Sequence, residues 1–428
     1  MAPMPDLLDD LDRRGLVHDT TDRTALAARL AEGPTTLYHG CDPTAPSLHH
    51  GNLIGLLMLR RFQDAGHRPI ALAGGATGMV GDPGGRSEER NLLDADTLAA
   101  NVAAIKAQIT RILGPEGPWS LVDNLTWTQD LSLLAFLRDV GKHVTVNQMV
   151  ARESVRARMT SEHGISYTEF SYMLLQANDY DHLHQTEGCE LQIGGSDQWG
   201  NILSGVDLIR RRRGAHVHAL CWPLLTAADG SKLGKTTGAR VWLDPELTSP
   251  YAFFQHWMHI DDADLPRMLA QFTLLPMDEV DDLVATHVGD PARRLGQRAL
   301  ARAVTELVHG AEACAAAEGA TEVLFGGDPR QASAEALAAV AREVAHGRLV
   351  PGEDLAAGVP LPPVLERVGL ASSLGDARRQ IGQNGISVND EKANADRLLT
   401  AADLLHGRWI LLRRGKRDWA ALDAGPPS

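Results

Sequence analysis

Cysteine is scarce in this sequence: Cys41, Cys189, Cys221 and Cys314 stand far apart, and no C-x-x-C pair occurs. The scarcity argues against a disulfide framework and against a zinc site, and it fits a reducing compartment. Long apolar runs are missing too, so no membrane span or membrane partner is expected. The opening "MAPMPDLLDDLDRRG" is acidic and lacks a basic segment followed by an apolar one. A secretory signal is therefore not expected, and the cytoplasm is the expected location. Positive charge is also in deficit: the formal net charge is −14. On its face that opposes a nucleic-acid partner. Binding follows local patches, however, and there are basic groups at Arg152, Arg156 and Arg158, at Arg210 to Arg213, and at Arg413 to Arg417. Each is either a solvated face or a phosphate contact.

What is present is a soluble, globular composition, 44% hydrophobic and 22% charged over 428 residues, too long for one ordinary core. In the first half strands alternate with helices. "TTLYHGC" reads as a strand, "GNLIGLLMLRRFQDAG" as a helix, "RPIALAGGATG" as a buried strand entering a glycine-rich loop, and "DADTLAANVAAIKAQITRIL" as an amphipathic helix. This rhythm predicts an α/β fold with a mostly parallel sheet, whose ligands bind beyond the carboxyl ends of the strands. From about Ser249 the strand signals fade and helices predominate. A Pro- and Gly-containing stretch, "HGRLVPGEDLAAGVPLPP", reads as a linker. A small unit follows, with a helix around "LGDARRQIGQ" and strands including "RWILLRRG". The expected division is a catalytic domain over 1–229, a lysine-containing loop and helical domain over 230–340, a linker over 341–361 and a terminal α+β domain over 362–428.

Several short stretches carry chemistry. In "DPTAPSLHHGN", His49 and Asn52 lie three apart at the start of a predicted helix, on one face. A helix N-terminus offers free N–H groups and the positive dipole end to phosphate. Gly51 permits close approach, and Thr44 adds a hydroxyl. The alternative is a plain helix cap. "GSKLGKT" sets Lys232 and Lys235 three apart before Thr236, either an exposed turn or a cationic loop for a triphosphate. It lacks P-loop spacing. "GGATGMVGDPGGRSEER" combines permissive glycines with Asp82, suited to an ammonium group, and with Arg86 and Arg90, suited to phosphate. In "FSYMLLQANDY", Tyr172, Gln176 and Asp179 form a polar stripe on an otherwise apolar helix, a solvent face or a pocket wall. "LQIGGSDQWGN" supplies Gly194, Gly195, Asp197 and Gln198, a pattern that suits a ribose.

Taken together, "DPTAPSLHHGN", "GGATGMVGDP", "FLRDVGKH", "EFSYMLLQ", "LQIGGSDQWGN" and "DGSKLGKT" resemble, in order, the bacterial tyrosyl-tRNA synthetases, class I aminoacyl-tRNA synthetases. "VTELVHG" and "GRWILLRRGK" extend the likeness over nearly the whole chain. The resemblance implies a Rossmann-like parallel-sheet catalytic domain, an α-helical anticodon-binding domain and a small α+β RNA-binding domain. It implies a homodimer with its interface near "FLRDVGKHVTVNQM". It implies that L-tyrosine is activated by ATP, with Mg²⁺ accompanying the ATP and no protein-bound metal or organic cofactor. The tyrosyl group then passes to tRNA(Tyr).

By the same resemblance, Thr44, His49, Arg86, Arg90, Lys232, Lys235 and Thr236 surround the phosphates. His39, Gly40, Asp42, Gly51, Asn52, Gly195, Asp197 and Leu225 hold the rest of the nucleotide. Asp82, Tyr172 and Gln176 take the tyrosine ammonium group, with Asn124 and Thr77 supporting Asp82. Gln198 sits near the reacting carboxylate, and Tyr38 meets Asp179 at the phenol. Arg378, Arg379, Arg413, Arg414 and Lys416 are implied tRNA contacts. Asn52 stands where histidine is commoner, yet its side-chain nitrogen lies as many bonds from Cα as a histidine Nδ1. His39 stands where cysteine is frequent, Cys41 where phenylalanine is usual, and Asn178 where some members carry tyrosine. These departures leave room for a specialised second copy that resists an inhibitor or takes a modified tyrosine. A nucleotidyltransferase is the other reading.

Overall fold

The computed structural model describes residues 6–82, 93–152, 155–156, 159–160, 164–226, 240–349 and 353–425. The chain divides into two compact units: Met1–Thr248 with Met258–Val304, and Ser249–Trp257 with Thr305–Ser428. The units do not divide at 229 and 340, and the helical stretch after Ser249 is shared between them.

The first unit is built on a six-stranded sheet. Its strands are β1 (Asp19–Thr20), β2 (Thr36–Cys41), β3 (Arg68–Ala73), β4 (Ser120–Asp123), β5 (Cys189–Gly195) and β6 (His218–Trp222), in the order β1-β6-β5-β2-β3-β4. Only the edge strand β1 is antiparallel; the pairs β6–β5, β5–β2, β2–β3 and β3–β4 are parallel. Chain order reverses direction between β2 and β5, which opens a crevice at their carboxyl ends. The expected strands and helices of this half are found at β2, His50–Asp64, β3 and Ala95–Leu113.

Two long helices follow the pattern of their caps. Tyr167–Glu187 starts at Ser166, whose hydroxyl accepts from the Glu169 N–H, and stops at Gly188 in the left-handed region (φ +64°). Trp199–Arg213 ends likewise at Gly214. They pack closely because Gly205 has no Cβ: one there would lie 2.9 Å from the Tyr180 ring. Tyr38, Ile70, Leu72, Tyr180, Leu183, Cys189 and Ile209 form the apolar layer between these helices and the sheet. Among the described residues no helix is long and apolar enough to cross a membrane.

The helix Leu265–Phe272 belongs to this unit, and two buried arginines explain why. Arg61, on the His50–Asp64 helix, donates to the carbonyls of Ala270, Gln271 (2.9 Å) and Thr273 (2.8 Å). Arg14 donates to Ala270 (3.0 Å) and Leu275 (2.8 Å). They satisfy the orphan carbonyls of that helix end and complement its dipole.

In the second unit a five-stranded sheet runs β10 (Glu391–Lys392), β9 (Ile386–Val388), β12 (Trp409–Arg414), β13 (Asp418–Asp423), β7 (Ala345–Arg348). A two-stranded sheet pairs β8 (Val359–Pro360) with β11 (Leu398–Leu399). Residues 345–348, expected as linker, are instead a strand paired in parallel with β13. One face of the larger sheet covers Leu361, Val364, Leu365, Ala377 and Ile381. The other, through Trp409, Leu411, Trp419 and Ala421, covers Leu337, Val340 and Ala341 of the helix Ala334–Glu343. The terminal domain is thus continuous with the helices before it.

Candidate active site

The crevice at the ends of β2 and β5 is a cavity of about 690 Å³. The helical stripe lines it: Tyr172, Gln176 and Asp179 all face in. So do Tyr38, His39, Gly40 and Asp42 from the end of β2, and Thr44, His49, Gly51 and Asn52 from the following turn and helix. Asp82, Gly195, Asp197, Gln198 and Leu225 complete the expected set that can be placed. Arg86, Arg90, Arg158, Lys232, Lys235 and Thr236 lie outside the described residues.

At the inner end Asp179 is 2% exposed. Its carboxylate accepts from Asn124 Nδ2 at 2.9 Å and from Trp127 Nε1 at 2.8 Å. Burial pushes this carboxyl up to about 7, against the lowering effect of those two donors. Beside it the Tyr38 hydroxyl is buried and has no partner among the described residues. A buried hydroxyl without a partner is costly, and a polar ligand atom placed there supplies one.

A chain of hydrogen bonds joins this end to the middle of the cavity. Asn124 also donates to Thr77 Oγ1 (3.1 Å), Thr77 donates to Asp42 (2.8 Å), and Tyr172 donates its hydroxyl to the other Asp42 oxygen (2.8 Å). Asn124 and Thr77 therefore brace Asp179 and Asp42, where support of Asp82 was expected. The Gln198 amide donates to Asp82 at 2.6 Å. Asp82 is buried, at 8% exposure, and lines the cavity.

At the outer end His49 is the N-cap of the helix His50–Asp64. Its Nδ1 accepts from the Gly51 N–H (3.0 Å), and the Asn52 side-chain oxygen accepts from the His49 N–H (3.1 Å), a reciprocal capping box. Burial, His50 and Arg240 lower the imidazole pKa to about 4. The ring is therefore neutral at pH 7, with its proton on Nε2 as a donor. The Asn52 amide nitrogen is left to donate as well. His39 is also neutral, lowered to about 4 by burial. Its Nδ1 faces the Ile193 carbonyl at 3.3 Å, which makes Nε2 the acceptor, with Cys41 Sγ at 3.6 Å. A Cβ on Gly55 would lie 2.3 Å from that Nε2. Gly195 similarly leaves room for Asp197, 2.6 Å from where its Cβ would be.

The chain is matched over residues 30–326 by the family model for tRNA synthetases class I (W and Y), and over residues 349–422 by that for the Tyrosine--tRNA ligase SYY-like C-terminal domain. It is 52% identical to a Tyrosine--tRNA ligase of Opitutus terrae, across 97% of this chain and 99% of that one. It is 50% identical to one of Mycobacterium tuberculosis, across 97% and 98%. Among solved structures, a C-terminally truncated Aspergillus nidulans mitochondrial tyrosyl-tRNA synthetase matches with a TM-score of 0.69 and 30% identity, covering 76% of this chain and 95% of that one. This chain belongs to the class I tRNA synthetases of the tryptophan and tyrosine group.

Class I synthetases use ATP as a substrate, and the helix start at His49 to Asn52 offers the positive dipole end that suits a phosphate. Arg240 and Trp242 are among the lining residues not foreseen; an arginine just after the lysine-containing stretch was the available signal. Trp127 was missed as well, because "NLTWTQD" has no periodicity to read.

Of the basic groups, the exposed run Arg210 to Arg213 is largely tied to partners within its own unit. Arg212 and Arg213 both grip Asp181, which is 1% exposed, and Arg211 binds the His143 carbonyl. In the second unit Arg413 pairs with Asp390 and lies over the Trp419 ring, and Arg414 binds Asp418 and the Leu370 carbonyl. Arg378, Arg379 and Lys416 are exposed.

Proposed function

We propose that this protein is a tyrosine–tRNA ligase in which Tyr38 and Asp179 select the amino acid. The partnerless Tyr38 hydroxyl beside a buried, doubly braced carboxylate carries the reading. A phenol entering there donates to Asp179 and accepts from Tyr38; an indole offers a donor but no acceptor, and a phenyl ring offers neither, so both leave the Tyr38 hydroxyl unpaired. Asp82, with Tyr172 and Gln176, holds the ammonium group. Gln198, already bonded to Asp82, stands by the carboxylate.

ATP enters as its Mg²⁺ complex, the ion being part of the substrate. A tyrosine carboxylate oxygen forms a bond to the α-phosphorus, and the bond from that phosphorus to the bridging oxygen breaks. The electron pair leaves with pyrophosphate. No side chain becomes covalently attached: catalysis is positioning and charge stabilisation by Thr44, the His49 Nε2–H, the Asn52 amide and the cationic residues Arg86, Arg90, Lys232 and Lys235, with Thr236. Asp42, Gly195, Asp197 and Leu225, with His39 and Gly40, hold the nucleoside. A ribose hydroxyl at the 3′ end of tRNA(Tyr) then bonds to the tyrosyl carbonyl carbon, the bond from that carbon to the phosphate oxygen breaks, and AMP leaves. The exposed Arg378 and Lys416 are the better placed tRNA contacts, since Arg379, Arg413 and Arg414 are committed to acids of their own domain.

A cytoplasmic homodimer fits the family. The exposed Leu133, Leu134, Leu137 and Val146 supply an apolar surface where the interface is expected. The helices after Ser249 are read as the anticodon-binding part. The deciding experiment is tyrosine-dependent exchange of pyrophosphate into ATP, followed by charging of tRNA(Tyr). Properly folded protein without such exchange would refute the reading.

A further inference from the structure

Arg240 immediately precedes a short extended segment that runs against the start of the His50–Asp64 helix. His50 N–H donates to the Val241 carbonyl (3.0 Å), Leu243 N–H donates to the Leu48 carbonyl (2.9 Å), and His49 and Trp242 form an antiparallel bridge. Trp242 N–H is in turn held by Thr248 Oγ1 at 3.0 Å. The backbone around Arg240 is therefore fixed relative to the helix end that carries His49, Gly51 and Asn52, and Arg240 lines the same cavity as those residues. Its guanidinium lies over the Trp242 indole, 5.6 Å from the ring centroid, and that indole meets His49 edge-on at 6.2 Å. Stacking of this kind orients a guanidinium without neutralising it. Among the described residues no carboxylate pairs with Arg240. Its charge also reaches His49, where it adds to the effects of burial and of His50 in keeping the imidazole neutral.

A cation with no carboxylate partner among the described residues is thus held at the mouth of the cavity, beside the helix N-terminus at its outer end. We propose that Arg240 is a phosphate-binding residue that takes the β- and γ-phosphates of ATP and holds the pyrophosphate they become. This rests on the family reading above and adds a residue to it. The assignment to the distal phosphates follows from depth. Arg240 is exposed at the rim, whereas Gln198 and Asp82, which mark the amino-acid end, are part-buried and buried. The α-phosphate has to point inward to meet the tyrosine carboxylate, so the distal phosphates lie outward. The planar fork of a guanidinium suits two phosphate oxygens at once. As the bond to the α-phosphorus breaks, negative charge grows on the departing pyrophosphate, and Arg240 meets it with no proton transfer.

The test compares wild type with Arg240→Ala and Arg240→Lys, first confirming equal melting temperatures. Binding of ATP and of AMP is measured by calorimetry, and exchange kinetics are measured in both directions. Arg240→Ala is expected to weaken ATP and raise the KM for ATP and for pyrophosphate about tenfold each. AMP binding and the tyrosine KM stay within about twofold of wild type, and Arg240→Lys recovers part of the loss. Unchanged ATP and pyrophosphate constants overturn the proposal. So does equal weakening of ATP and AMP, which would mean that Arg240 only shapes the pocket. If wild type shows no tyrosine-dependent exchange the ligase reading fails, while the comparison of ATP with AMP still decides the role of Arg240.

Discussion

Trp127 donates its indole N–H to Asp179 at 2.8 Å, opposite the 2.9 Å bond from Asn124. A buried carboxylate that loses one of two donors becomes harder to keep ionised. Trp127→Phe keeps the ring and removes the donor. The expected result is a tyrosine KM raised about tenfold with the ATP KM unchanged, measured by exchange.

The same carboxyl sets a pH dependence. Its folded-state pKa is raised to about 7 by burial, and a phenol donates only to the ionised form. In the free enzyme that form is lost as pH falls through 7. The value of kcat/KM for tyrosine should therefore drop about tenfold per pH unit below that point. His49, at about 4, stays neutral across this range and adds no second inflection. A flat profile from pH 5.5 to 8 would show that Asp179 does not receive the phenol.

Tyr38→Phe separates stability from selectivity. The Tyr38 hydroxyl is buried with no partner among the described residues, so its removal should relieve about 1 kcal/mol of desolvation. The melting temperature without ligand should rise slightly. Discrimination of tyrosine over phenylalanine should fall about tenfold, read as the ratio of their kcat/KM values.

The two side-chain atoms of Asn52 are divided: the oxygen closes the capping box, and the nitrogen is left to donate, on our proposal to ATP. Asn52→Asp retains an acceptor for the cap and removes the donor; Asn52→Ala removes both. Only the alanine variant should lose about 1 kcal/mol of stability. Both should slow adenylate formation at saturating tyrosine in single-turnover assays.

Gly55 and His39 depend on each other. A Cβ at position 55 would lie 2.3 Å from His39 Nε2, so Gly55→Ala must turn the imidazole away from Trp222, its neighbour at 5.3 Å. The single variant should raise the ATP KM. Adding His39→Ala should remove the clash, so a double-mutant cycle on ATP binding should give a coupling of at least about 1 kcal/mol.

Legibility in the sequence followed the physics of each feature. The β2 strand, the His49 to Asn52 helix start and the stripe Tyr172, Gln176, Asp179 are local patterns, and the fold brings them together where a parallel sheet puts its crevice. Partnerships set by the fold at long range were not legible. Thr77 and Asn124 were assigned to Asp82, but the sheet carries them to Asp42 and Asp179, from 35 to 55 residues away in sequence. β7 was hidden because "AHGR" has no apolar alternation; it is a strand only by virtue of its pairing with β13. The arginine run at 210 to 213 looked like a patch for phosphate, and a single buried acid, Asp181, takes two of its members.

The two guanidinium groups that close the end of Leu265–Phe272 have a consequence for how the protein opens. That helix has only 8 residues, too few to persist alone in water. Its last carbonyls are bonded to Arg61, a residue of the very helix that begins at His49. The segment therefore cannot fray independently. Its amides should exchange with solvent only in the rare openings that also release the helix beginning at His49, so a weakness introduced at Thr273 would be felt as slack at that helix start.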